Sequence, residues 1–382
     1  MNEKLIMVPG PTNVPERVMR AMIKPMISHR SSEFRKLYRS ITENMKYLFQ
    51  TEGDVYALTA SGTGGIECAI GNAVNPGDKV IVPVFGLFSE RLKEAIVRRG
   101  GKPVVIQTRW GAAPKADEIK EAVEIEKDAK AIAIVYNETS TGVTVRDLPE
   151  IGKIADENNM LLIVDAVSIL GGDELPVDEW NIDICVSASQ KCLACPPGLA
   201  LFSISEKAWE AIEAVQRPFY FDMKMMRRFG EKDETPFTPA IPLFYALDEA
   251  LEMIREEGLE RRFSRHRICS EAFYEAVEAL GLELFPEESV RSHTVITFRK
   301  PEKVDGDVLR RRMEKDYGVV IAGGAGKIRE ETLRIGCMGM ISDRETIITI
   351  NALENALKDL GYEAADSGVE AARRKLRNAK YT

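Results

Sequence analysis

Leu161-Leu162-Ile163-Val164-Asp165-Ala166-Val167-Ser168 is the stretch from which the fold can be read. Four consecutive apolar residues leave no polar face, so a strand built from them is covered on both sides, as in a parallel sheet between helices. The run stops at a carboxylate and is followed by more apolar chain. Ligands of open α/β sheets gather at the carboxyl ends of strands. A carboxylate held there among apolar residues needs a cation partner. A helix cap or surface turn explains Asp165 less well.

On either side of it, short apolar runs recur at 55–59, 79–84, 103–107, 131–136, 183–187 and 199–204, mostly separated by helix-length segments. Strands alternating with helices predict βαβ units and a mostly parallel, seven-stranded sheet. The last two runs stand too close for a crossover helix. A proline-rich arm, 1–15, contains Pro9-Gly10-Pro11-Thr12-Asn13-Val14-Pro15, which excludes regular helix or central strand. The pattern from 16 to 49 is helical, broken near Lys24-Pro25, and further helices are expected at 206–213 and 244–257, with Glu257-Gly258 as a stop. Beyond it, helix 259–280, strand 294–298, helix 305–317, strand 332–335 and helix 343–360 read as a smaller α+β domain. The expected organisation is therefore an arm 1–15, a large domain 16–257 and a small domain 258–382.

Two more features carry chemistry. Ser61-Gly62-Thr63-Gly64-Gly65 lies between strand 55–59 and an expected helix 66–74. A glycine-rich turn at a helix N-terminus offers backbone N–H groups to a phosphate. It matches neither the dinucleotide fingerprint nor a P-loop. Lys191 follows strand 183–187 among small and apolar residues, in Ser189-Gln190-Lys191-Cys192-Leu193-Ala194-Cys195-Pro196-Pro197-Gly198. Desolvation lowers an amine pKa and makes it nucleophilic. A phosphate turn, a strand-end acid and a strand-end lysine are what pyridoxal phosphate chemistry requires: an anion cup, a partner for the ring nitrogen and an amine for a Schiff base.

With these residues the chain resembles the fold-type I, class V pyridoxal-phosphate aminotransferases, in particular the alanine–glyoxylate and serine–pyruvate group. The likeness runs from Pro9–Pro15 through Asn137-Glu138-Thr139-Ser140-Thr141-Gly142 and Pro196-Pro197-Gly198 to Leu333-Arg334-Ile335-Gly336. It implies pyridoxal 5'-phosphate as cofactor, with Lys191 as Schiff-base lysine and proton carrier and Asp165 as partner of the ring nitrogen. Val167 would pack under the ring, Phe88 would stack on it, and Thr139 would approach its 3-oxygen. Thr63, Gly64, Gly65 and Gln190 would bind the phosphate. Arg334 would grip the substrate carboxylate, a bidentate task suited to arginine. The resemblance also implies a homodimer with composite sites. In it the segment Thr235-Pro236-Phe237-Thr238-Pro239 crosses to the neighbour, and Thr238 bonds the neighbour's phosphate. The arm is expected to pack on the partner too. Thr235 stands where the family often has Tyr, and Ser28, before His29-Arg30, where many relatives have Gly near the substrate.

The implied activity moves the amino group of alanine or serine to glyoxylate or pyruvate. Aspartate or broad specificity is the alternative, with Arg30, Arg227 or Arg228 able to meet a second carboxylate. A cysteine desulfurase is disfavoured, because Gln190 stands where those enzymes carry His, and Cys337 follows Arg334 instead of preceding it on a loop. A cofactor-free regulatory protein is disfavoured by the presence of both Lys191 and Asp165. Composition agrees with an ordinary enzyme: 45 % hydrophobic and 29 % charged residues exclude disorder. The net charge of -8 gives no reason to expect nucleic-acid binding. The one basic cluster, Arg373-Arg374-Lys375 with Arg377 and Lys380, reads as cations at the end of a last helix. No apolar run reaches the roughly 18–20 residues of a membrane span, and no signal peptide is visible, so a cytoplasmic location is expected. Cys192 and Cys195 form a C-x-x-C, but no second pair stands at zinc-ribbon spacing, and three histidines and six cysteines make no disulfide framework, so no metal is expected and buried reduced thiols are.

Overall fold

A computed structural model describes residues 4–378. The central sheet has seven strands: β2 (Asp54–Thr59), β3 (Lys79–Val84), β4 (Lys102–Gln107), β5 (Ala131–Val135), β8 (Leu161–Asp165), β9 (Ile184–Ala188) and β10 (Leu199–Ile204). Their order is β2-β10-β9-β8-β5-β3-β4. Only β10 runs against its neighbours; the other pairings are parallel. Ten residues, 189–198, join β9 to β10, too few for a crossover helix, so the chain must reverse. The reversal carries Lys191 at the same sheet edge at which β8 delivers Asp165.

Helices flank this sheet: α1 (Glu16–Ala21), α2 (Ser32–Phe49), α3 (Gly62–Ala73), α4 (Leu87–Arg99), α5 (Ala116–Ile125), α6 (Leu148–Glu157), α7 (Glu206–Glu213), α8 (Met223–Gly230) and α9 (Ile241–Glu257). A two-stranded ribbon, β6 (Asn137–Glu138) and β7 (Val143–Thr144), follows β5 directly. Then come α10 (Leu259–Ala279), β11 (Val295–Arg299), α11 (Gly306–Asp316), β12 (Val319–Val320), β13 (Ala322–Gly323), β14 (Thr332–Gly336), α12 (Asp343–Asp359) and α13 (Gly368–Asn378). A buried apolar cluster runs from Val18 to Leu259 with Val290, and a second holds Met7 and residues from Ile268 to Leu376. We propose the division of the chain at Gly258, between α9 and α10.

Several expectations shift for local reasons. The helix expected from 66 starts at Gly62, because the Ser61 hydroxyl caps it and accepts from Gly64 N at 3.2 Å. The helical pattern 16–49 breaks near Lys24-Pro25 as expected, into α1 and α2 on either side of an irregular segment that contains Pro25. Asp183 stands before β9 because its carboxylate accepts from Leu162 N and the Ser205 hydroxyl. Helix α8 has no counterpart among the expected elements; the Asp222 carboxylate caps it through Lys224 N and Met225 N. The arm is not free to serve a partner alone. Its strand β1 (Leu5–Ile6) pairs in parallel with β12 of its own chain. The basic cluster ends α13, whose last turn carries Lys375 and Arg377, while Lys380 lies outside the described residues. None of the described helices is long and apolar enough to cross a membrane.

Candidate active site

Strand ends converge at one edge of the sheet, where a cavity of about 850 Å³ opens, lined by Thr63, Phe88, Thr139, Asp165, Val167 and Lys191 among others. Asp165 ends β8, and one carboxylate oxygen accepts from Val167 N at 3.0 Å. Burial pushes its carboxyl up to about 6, with the nearby Glu138 charge adding to the shift and Lys191 opposing it. Among the described residues no cation pairs with it within 4 Å. Lys191 is lowered to about 8, mainly by burial, and its Nζ donates to the carbonyl of Pro9. A Cβ at Gly10 would stand 2.6–2.8 Å from the end of the Lys191 side chain, and Gly10 has φ +93°, so only glycine suits this crossing. Thr12 completes the embrace: its N–H donates to Gln190 O and its hydroxyl to Lys191 O, both at 3.2 Å.

The first turn of α3 faces the same cavity through Gly62 and Thr63. The first N–H groups of a helix have no intrahelical acceptor and carry its positive dipole end. Gly64 and Gly65 differ from the expectation. Gly64 N is turned to Ser61 Oγ, and Gly65 N donates to Ser61 O at 2.9 Å. A Cβ on Gly65 would meet Val186 at 2.8 Å and Ala200 at 3.0 Å, so this glycine seats α3 on the sheet instead of offering an anion site. Gln190 lines the cavity, and its buried Oε1 lacks a partner among the described residues.

Arg334 arrives from β14. Its Nε donates to Gly323 O at 2.9 Å and its Nη1 to Thr139 O at 3.1 Å. Burial lowers it to about 10, and it keeps its charge at neutral pH. Glycine at 336 lets the arm pass over β14: Gly336 N donates to Met7 O, and a Cβ there would lie 2.2 Å from Val8 O.

The residues fit a pyridoxal phosphate. An acid without a cation suits a protonated ring nitrogen, a desolvated amine suits its aldehyde, a helix N-terminus suits its phosphate, and Phe88 supplies an aromatic wall. The sequence profile described as aminotransferase class-V matches residues 6–339. The chain belongs to the class-V aminotransferases. It is 36 % identical to the serine–glyoxylate aminotransferase of Methylorubrum extorquens over 97 % of this chain and 96 % of the relative. The L-aspartate–glyoxylate aminotransferase of Paracoccus denitrificans is 34 % identical, over 97 % of this chain and 96 % of the relative. The crystal structure of an alanine–glyoxylate aminotransferase from Nostoc sp. superposes with a TM-score of 0.90 at 33 % identity, covering 94 % of this chain and 96 % of that one.

Three candidates of this aminotransferase lie outside the cavity lining, two of them exposed and Thr235 buried. Ser28 and Thr238 are exposed, and the Thr235 hydroxyl donates to Phe237 O at 2.8 Å. They form one patch, because Arg30 donates to Thr235 O and Pro236 O and pairs with Glu234. Arg227 is paired with Glu206 and Asp54, and Arg228 lies over Phe229. Asn137 and Glu138, to which the sequence assigned no role, belong to the cavity side of the molecule, and Asn137 lines the cavity itself. Asn137 donates to the hydroxyls of Ser168 and Thr294, and Glu138 accepts from the start of α4. Their signal was polar chain immediately after a wholly apolar strand. No cluster that could hold a metal exists among the described residues.

Proposed function

We propose that this aminotransferase carries the amino group of a small amino acid, alanine or serine, to glyoxylate or pyruvate with pyridoxal 5'-phosphate as cofactor. The observation that carries it is the pairing, in one cavity, of a lysine lowered to about 8 with a buried acid that has no cation within 4 Å among the described residues. Bound there, the cofactor supplies an aldehyde that takes the amino group and a ring that draws electrons from the substrate's Cα–H bond. Lys191 Nζ exchanges protons close to neutral pH and serves as the acid and base at the substrate carbon. The Asp165 carboxylate holds a proton on the ring nitrogen by its charge. Phe88 and Val167 would bound the cofactor's ring, Thr139 would lie toward its 3-oxygen, and the α3 N-terminus with Thr63 and Gln190 would hold its phosphate. Arg334 receives the α-carboxylate.

The glyoxylate-using relatives support the acceptor, and they take different donors. Aspartate therefore stays the second reading for the donor, although Arg30 and Arg227 already pair with glutamates of their own chain. Desulfurase chemistry needs an accessible thiolate. All six cysteines are buried, and burial holds the Cys337 thiol well above its ordinary range.

We further infer a homodimer in which the Ser28–Thr238 patch completes the neighbour's site. It is supported by the absence of these residues from the lining of their own cavity, by the exposed apolar Ile23 and Met26 close to Ser28 in sequence, and by the exposed Phe219, whose ring lies against Phe237. A half-reaction screen tests the activity: the loaded enzyme is mixed with single amino acids and its visible absorbance is followed. Alanine and serine are expected to bleach the band fastest. A band unaffected by any amino acid refutes the reading.

A further inference from the structure

Glu138 is fully buried, at 0 % exposure, with no cation within 4 Å among the described residues. Five donors converge on its two oxygens. One oxygen accepts from Phe88 N at 3.2 Å, Ser140 N at 3.1 Å and the Ser140 hydroxyl at 2.6 Å. The other accepts from Ser89 N at 2.8 Å and from the Ser89 hydroxyl at 3.0 Å, whose single proton is shared with Gly86 O at the same distance. The carboxylate thus sits on the N-terminus of α4, where a helix dipole favours an anion. The Ser140 hydroxyl accepts in turn from Leu87 N at 3.0 Å. The chain has cleared space for this group: a Cβ at Gly86 would come within 2.2–2.3 Å of the Glu138 side chain.

One partner, Phe88, and one chain neighbour, Thr139, belong to the site. Phe88, held by its backbone N–H, presents its ring to the cavity. Thr139 follows Glu138 in the chain and offers its carbonyl to Arg334 Nη1 at 3.1 Å. The ring wall and the carboxylate grip come from different parts of the chain, residues 88 and 334. The turn at 138–140 is where they meet.

We propose that Glu138 is a positioning residue: by binding the first turn of α4 and its own turn, it fixes the Phe88 wall and, through Thr139, the Arg334 grip in one register. The proposal rests on the aminotransferase reading above. Glu138→Gln keeps the shape but turns one acceptor into a donor facing donors. Hydrogen bonds to charged groups are strong enough that about a tenfold effect follows. Titration of the cofactor-free variant with pyridoxal 5'-phosphate should give about tenfold weaker binding. The KM for the amino acid should rise about as much, more than kcat falls. Combined with Arg334→Lys, the KM effects should be less than additive, as for groups in one network.

Cofactor affinity and KM both within twofold of wild type overturn the proposal. A variant that melts earlier while both stay unchanged overturns it too, because that is a purely structural role. If Glu138→Gln does not fold, Ser140→Ala removes one hydroxyl donor and keeps the carboxylate. Binding and KM should then weaken about threefold, and wild-type values overturn the proposal. Wild-type protein that forms no visible band with pyridoxal 5'-phosphate overturns the underlying reading, and this proposal with it.

Discussion

Lys191 and Asp165 occupy one cavity, and burial moves both away from their ordinary titration ranges, in opposite directions. Asp165, ordinarily near 3.8, is raised to about 6. Between these values the folded protein binds a proton that the unfolded chain has lost, so stability of the cofactor-free protein falls as pH rises through this window. Lys191, ordinarily near 10.5, is lowered to about 8. There the unfolded chain holds the extra proton, and stability rises as pH climbs from about 8 to about 10.5. Asp165→Asn should remove the lower limb. Without cofactor, this variant should melt a few degrees above wild type at pH 7, yet bind pyridoxal 5'-phosphate more weakly. Melting curves and cofactor titration at several pH values check this; an unchanged pH dependence contradicts it. Lys191→Ala should leave far-UV circular dichroism intact and reduce the half-reaction by at least ~10³-fold, since in the proposed reading the amine is both attachment point and proton carrier. A loss within about tenfold removes Lys191 from the chemistry.

Among the elements, α3 shows how one motif splits between tasks. Ser61 caps the helix, Gly62 and Thr63 face the cavity, and Gly65 packs on β9 and β10 through Val186 and Ala200. Gly65→Ala puts a methyl where two strand residues cannot retreat. Overpacking of this kind costs about 1–3 kcal/mol, and lifting α3 also displaces its N-terminus. Chemical denaturation should read the loss, and cofactor affinity should fall with it. Stability equal to wild type shows that α3 shifts without cost. The β9–β10 reversal was legible from chain length alone, because ten residues cannot cross over. Helix α8 was not, because its cap, Asp222, sits in a stretch without a long apolar period.

At the scale of the whole molecule, the residues split into a cavity set and a surface set. Lys191, Asp165, Thr63, Phe88, Thr139, Val167 and Gln190 line one cavity, whereas Ser28 and Thr238 are exposed. The composite dimer proposed above would account for both sets. The holoenzyme should sediment as twice 42.6 kDa at low micromolar concentration. Thr238→Ala should release cofactor more readily and weaken the dimer, because a ligand bridging two chains stabilises their assembly. A fully active monomer refutes the composite site.

Periodicity and strand-end chemistry were enough, within the chain, to find the sheet, the acid and the lysine. An apolar strand that stops at Asp165 and a lysine among small residues are local patterns, and burial on both strand faces is written in composition. Only the tertiary structure decided which donors are free. Gly65 and Thr63 are two residues apart in one glycine-rich turn, and helix phase alone separates the packing face from the cavity face. The arm's place over Lys191 depends on a strand pairing across more than 300 residues, Leu5 with Val319. Glu138 looked like one polar residue among several, and its proposed role follows from Gly86, Phe88 and Ser89, brought to it by the parallel pairing of β3 with β5. Such contacts arise from the closing of the fold, and sequence spacing does not encode them.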